Sequence, residues 1–243
     1  MRVSAVVPQA EVDDEGVEAL IADLTLDGES QAQIAYRVLE EMIVTMKLPP
    51  GSKISEKGLN RSLGLGRTPL REALQRLANE GTVRILPRAG VIVSEIDMVD
   101  QLNMIEVRRE LEKIIAGRAA RLATDAQRKK FQQLAERFDR AAQDDDENIF
   151  IPADREFNGL SVAAAQNKYV AYAISPIGAQ TRRFWYLHFR RCGDDLPHTA
   201  RLHANICRHI VAGDEKGARK ASDGLLDYVE EYTRKTLRLL SGL

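Results

Sequence analysis

Arg67, Thr68 and Arg71 are the residues whose types and spacing best fit a chemical task, the gripping of a polyanion. Read as a helix, Arg67-Thr68-Pro69-Leu70-Arg71-Glu72-Ala73-Leu74 turns these three to one side and Leu70, Ala73, Leu74 and Leu77 to the other. Arg67 and Arg71 then stand one turn apart near the positive end of the helix dipole. Guanidinium groups placed there suit phosphate oxygens and the acceptor edge of guanine. Such a segment can pack on one face and bind a duplex with the other.

Other reactive side chains are sparse. The four histidines are His188, His198, His203 and His209, and the last two lie about 240° apart on a helix, so they share no face. No nucleophile elbow, phosphate-binding glycine loop or dinucleotide fingerprint occurs, and an enzyme is not expected. Cys192 and Cys207 are the only cysteines, too few for a disulfide framework, and read as free thiols. Asp154 follows Ile151-Pro152, where it could cap a helix or serve a site. Arg108 could grip a carboxylate bidentately or pair with Glu112 one turn along. In Arg182-Arg183-Phe184-Trp185-Tyr186, basic and aromatic groups suit a pocket or a subunit seam. A helix spreads them around its circumference, so only one or two can face a ligand.

The elements that must position these groups follow from periodicity and breakers. Apolar Ile34, Val38, Met42, Ile43 and Met46 predict a helix over 31–47, stopped by Leu48-Pro49-Pro50-Gly51. A short helix over 56–63, the turn Gly64-Leu65-Gly66 and a helix over 67–80 come next, with Pro69 in a first turn that tolerates it. Residues 82–86 and 91–93 read as strands joined by Pro87-Arg88-Ala89-Gly90, a hairpin with a basic tip. Helices at about 96–123, 125–143, 152–165, 168–190, 197–212 and 214–240 fill the remainder. The expected fold is mostly α: a winged helix-turn-helix over 30–94, then an all-helical bundle of about six helices over 95–243. An acidic extension over 1–29 precedes them, in which Val17, Leu20, Ile21 and Leu24 could form one amphipathic helix.

Charge agrees with this division. Residues 30–94 carry ten Lys/Arg against five Asp/Glu, while the first 29 carry one Arg against eight acids. Only the middle block favours a polyanion. No apolar run approaches the roughly 20 residues that span a bilayer, and the acidic start lacks a secretory pattern, so no membrane partner and a cytoplasmic location are expected.

Residues 48–90, from Leu-Pro-Pro-Gly-Ser-Lys-Ile through Gly64-Leu65-Gly66-Arg67-Thr68-Pro69-Leu70-Arg71-Glu72-Ala73-Leu74 to Glu80-Gly81, closely resemble the GntR family of bacterial transcription regulators. The resemblance implies DNA contacts from Lys57, Arg67, Thr68 and Arg71, and from Arg88 and Gly90 in the wing. Gly66 replaces the usual capping serine or threonine, and Gly58 sits inside the second helix. The helical part resembles the ligand-binding (FCD-type) domain of the FadR-like branch, its VanR-like subgroup in particular. This rests on Val107-Arg108-Arg109-Glu110-Leu111-Glu112, Asp154 before Phe157, and His203 with Ile206 before Gly213-Asp214.

That branch implies an effector pocket, here drawing on Arg108, Asp154, Asn158 and His203, with Tyr172 and Tyr228 as walls. It also implies a divalent metal in many members. Asn158 and Leu225 stand where two histidine ligands would be, so no metal cofactor is expected, Asp154 and His203 being the residual candidates. A metal-responsive regulator is the alternative. The expected partners are a pseudo-palindromic operator, a small organic acid and a second copy of the chain, with pairing of dimers into tetramers left open.

Overall fold

The computed structural model describes residues 20–22, 24–25, 28–87, 90–192 and 195–241, and the chain divides into two compact units. The first comprises residues 1–97 with 179–187, and the second residues 98–178 with 188–243.

In the first unit, Ser30 opens helix α1 (Gln31–Val44) with a reciprocal capping box to Gln33, which satisfies two otherwise orphaned donors. Ala35, Val38, Leu39, Met42 and Ile43 form its buried stripe. The helix stops at Val44, before the predicted limit, and Met46 takes a positive φ of 63° ahead of Leu48-Pro49. Strand β1 (Lys53–Ile54) follows, a two-residue element too short to give any periodic signal. Helix α2 (Glu56–Leu63) is capped by the Ser55 hydroxyl, and Gly64 ends it in the left-handed region at φ 62°. Helix α3 (Arg67–Asn79) leads into β2 (Val83–Leu86) and β3 (Gly90–Val93). The antiparallel sheet has the order β1-β3-β2, so the wing is three-stranded rather than a plain hairpin.

Leu39, Met42, Leu59, Leu70, Leu74, Leu77, Val83, Val91 and Val93 share one core. Leu24 is buried in that core, and Leu20 and Ile21 pack against it. The apolar residues of the acidic lead-in thus partly belong to this unit; Val17 lies outside the described residues.

Six helices make the second unit's framework: α4 (Met98–Leu122), α5 (Asp125–Asp144), α6 (Glu147–Ala165), α7 (Lys168–Cys192), α8 (Leu196–Val211) and α9 (Glu215–Ser241). Thr124 starts α5 with a capping box to Gln127. The acidic run is a shorter break than the sequence suggested. Asp146 caps α6 through the Asn148 N–H, and a carboxylate at that end is favoured by the dipole, so the helix starts at Glu147 and carries Pro152 inside it. Helix α4 runs antiparallel to α9, with Arg109 held by Asp223, Asp227 and Glu230. Phe131, Phe138 and Phe157 meet edge to face between α5 and α6.

Residues 179–187, from the middle of α7, group with the first unit. Arg183 is fully buried there and donates to the Ser94 carbonyl at 2.5 Å and to Gln180 Oε1 at 2.8 Å. Burial lowers its guanidinium pKa to about 10. Arg183 and Phe184 are therefore packing residues of the first unit, which decides how that basic and aromatic run is used.

Candidate functional site

The first site is the outer face of α3. Gly66 precedes it with no side-chain cap, and Pro69 occupies its third position, where the N–H has no partner inside the helix. Leu70, Ala73, Leu74 and Leu77 are all at most 2% exposed. Arg67, Thr68 and Arg71 lie exposed on the opposite side, and Lys57 is exposed on α2. Packing of one stripe thus presents the other.

Arg71 is not loose on this face. Its Nε donates to Glu56 Oε2 at 3.1 Å, an ion pair between the first turn of α2 and the second turn of α3 that no periodicity in the sequence reveals. Arg76, the next basic residue along α3, is committed differently. Its guanidinium lies 3.6 Å from the Tyr36 ring centroid and its Nε donates to Glu80 at 3.1 Å, so it braces α3 against α1. Arg61 and Arg84 are exposed. In the wing, Gly90 has φ 94°, and a Cβ there would come within 3.2 Å of Lys53 Cε, so glycine suits both the turn and the close approach. Arg88 lies outside the described residues.

The second site is buried. Asp154 lies inside α6 rather than at its start, so helix capping does not explain it. Its Oδ1 is 3.3 Å from His203 Nε2 on α8, and Asn158 Nδ2 donates to the same oxygen at 3.1 Å and to the Asp154 carbonyl at 2.8 Å. His203 Nδ1 sits 2.8 Å from the Thr199 carbonyl, so both ring nitrogens face oxygen. Phe138, Phe150 and Phe157 surround the imidazole at centroid distances of 5.0, 5.5 and 5.3 Å. The helix α4 groups are also buried: Arg108 donates through Nε to Glu112 Oε1 at 2.8 Å, the ion-pair alternative for this arginine. Buried hydroxyls on α6, α8 and α9, among them those of Ser161, Thr199 and Ser222, make no hydrogen bond among the described residues.

The structure brings Asp154, Asn158 and His203 together and does not bring the two tyrosines to them. Tyr172 is 75% exposed, contrary to a pocket wall, which requires a covered ring. Tyr228 Oη accepts from the Asp195 N–H at 3.1 Å and its ring lies 5.0 Å from that of His198, so it secures the start of α8. Among the described residues no three His, Cys, Asp or Glu side chains could hold a metal ion. Asn158 turns an N–H donor toward Asp154, and Leu225 is buried and offers no donor atom.

The sequence profile described as "Bacterial regulatory proteins, gntR family" matches residues 31–93, and that described as "FCD domain" matches residues 103–228, over half of the chain. The chain belongs to the GntR family. It is a transcription regulator with an N-terminal DNA-binding helix-turn-helix domain and a C-terminal FCD domain, and its family is one of regulators rather than enzymes. The HTH-type transcriptional repressor RspR of Escherichia coli (strain K12) is 27% identical over 84% of this GntR protein and 89% of its own length. The Nta operon transcriptional regulator of Aminobacter aminovorans is likewise 27% identical, over 83% and 92%. The structure of E. coli McbR/YncC superposes with a TM-score of 0.71 at 20% identity, covering 82% of this regulator and 94% of that chain, which shows the shared fold. No helix among the described residues of this GntR protein is long and apolar enough to cross a membrane.

Proposed function

We propose that this GntR-family regulator is a repressor of a catabolic operon, released from DNA by a small organic acid. It acts as a homodimer on a pseudo-palindromic operator, in the manner of the FadR-like branch and its VanR-like subgroup. The observation that carries the reading is α3: Arg67, Thr68 and Arg71 exposed above a fully buried apolar stripe. In this reading they enter a major groove, while Lys57, Arg88 and Gly90 set register and affinity on the backbone and the neighbouring minor groove. The 27%-identical repressor supports the sign of regulation.

The effector is assigned to the buried polar site of the helical unit. Asp154, Asn158 and His203 supply directional contacts, and the buried hydroxyls of Ser161, Thr199 and Ser222 supply unused hydrogen-bonding capacity. A carboxylate effector binds Arg108 by sharing its guanidinium with Glu112. No resident metal enters this scheme. Binding acts by favouring one arrangement of the two DNA-binding heads, a shift passed through Ser94-Glu95-Ile96.

The test is a panel of carboxylic acids against the full chain, read by thermal melting and by fluorescence anisotropy on a selected duplex. One acid should raise the melting temperature and weaken duplex binding about tenfold or more. Saturating acid that leaves duplex affinity unchanged would overturn the release mechanism. Stoichiometric zinc or nickel bound through His203 would favour a metal-responsive regulator.

A further inference from the structure

Glu56 is an acid set beside a surface that must attract DNA. It occupies the first turn of α2, next to Lys57, and accepts the Arg71 Nε–H at 3.1 Å. The side chains of Arg71 and Glu56 are 70% and 40% exposed. An ion pair so open to water contributes little to folding. Placing a carboxylate there also repels phosphates, which weakens binding to every duplex alike. A group that adds little stability and opposes general affinity is accounted for by what it does to Arg71.

We propose that Glu56 is a positioning residue that sets operator specificity through Arg71. The proposal rests on the reading of Arg71 as a base-contacting residue. An arginine has several rotatable bonds and can reach phosphate or base with different edges of its planar fork. With Nε held by Glu56, the Nη1–Nη2 end is the edge left to face outward. That end presents two parallel N–H groups, the arrangement that meets O6 and N7 of guanine together. The same contact removes the rotamers in which Arg71 swings to the backbone. Glu56 thus exchanges some affinity for random DNA against a fixed guanidinium at the groove.

The experiment uses the full chain, an operator-like duplex selected by the wild-type protein from a random pool, and a scrambled duplex of equal length. Glu56→Ala should reduce the ratio of selected to scrambled affinity roughly fivefold to tenfold, chiefly because scrambled DNA is bound more tightly. Glu56→Gln keeps an oxygen acceptor for Nε but loses the charge. It should strengthen binding to both duplexes and retain more of the ratio than Glu56→Ala. Thermal melting should stay unchanged in both variants, which separates positioning from folding.

The Arg71→Ala background distinguishes the two readings. If Arg71→Ala collapses the ratio and Glu56→Ala adds nothing further, the residues act as one unit and the proposal stands. If Glu56→Ala lowers the ratio equally with and without Arg71, it acts on its own and the proposal is overturned. If Arg71→Ala weakens both duplexes equally, the base-contact reading of Arg71 is itself wrong.

Discussion

The recognition helix and the Asp154–His203 site use the same kinds of side chain under opposite conditions. On α3 an arginine pairs with a glutamate in water; between α6 and α8 a buried aspartate faces a histidine ringed by phenylalanines, and on α4 Arg108 pairs with Glu112 out of water. The exposed pair adds little to stability, and it engages only the Nε of Arg71. In the buried set each lost contact leaves a polar group without water, so its geometry is firmly fixed. One region leaves its polar groups open to water, the other holds them in a single arrangement.

The largest expected effect sharpens this contrast from beneath the exposed face. Leu74→Ala removes a side chain that is 1% exposed and should lower stability by about 2 to 5 kcal/mol in denaturant titration. Replacing the neighbouring exposed arginine should leave the same transition where it was. Equal loss from both would show that the two faces of α3 are not independent.

In the helical unit, His203→Leu removes the imidazole that faces Asp154 and should cost about 1 to 3 kcal/mol of stability. Operator affinity should survive while the response to effector vanishes. A variant that still releases DNA at normal effector concentration would move the effector away from this site.

Acid titration separates the two units by sign. The hydrogen bond from Arg109 holds the Asp223 carboxyl below its ordinary value, and Arg234, with Arg109, does the same for Glu230. Carboxylates depressed by folding contribute stability above their unfolded pKa and lose it as pH falls through the folded one. The α4–α9 pair should therefore melt lower as pH is taken from about 5 to below 4. Glu40 on α1 is the reverse case, because burial raises its carboxyl above the ordinary value. It gains a proton on folding, so its contribution improves as pH falls toward the carboxylate range. Calorimetry from pH 7 to 3.5 checks both, and Arg109→Ala should flatten the acid loss in the helical unit.

The smallest expected change concerns the entrance to α3. Gly66→Ser restores a capping hydroxyl where none now bonds, and should stabilise the unit by only a few tenths of a kcal/mol. Duplex affinity measured across a salt series would show whether the new hydroxyl also reaches a phosphate.

Legibility in the sequence followed the same division. The recognition helix, the wing strands β2 and β3 and the six helices α4 to α9 were readable because each carries its own apolar period or turn residues. Strand β1 was not, since two residues have no period and exist as a strand only by pairing with β3. The start of α6 was misjudged because Pro152 reads as a breaker, while the Asp146 cap six residues earlier decides the boundary. Tyr172 was expected as a pocket wall, yet its exposure depends on which side of α7 meets other helices.

By itself the sequence determined the two-sided character of α3, the GntR resemblance and the helical nature of the second half. Those are properties of neighbours three, four or seven positions apart, governed by backbone geometry. Tertiary structure alone decided that Glu56 holds Arg71, that Asp154 faces His203, and that residues 179–187 join the first unit. Contacts between groups 15 to 100 residues apart, such as Arg71 with Glu56 or Gln180 with Glu80, depend on how packed elements come to rest. Local periodicity fixes which face of a helix is apolar, but only packing fixes what that face, and the polar groups beside it, will meet.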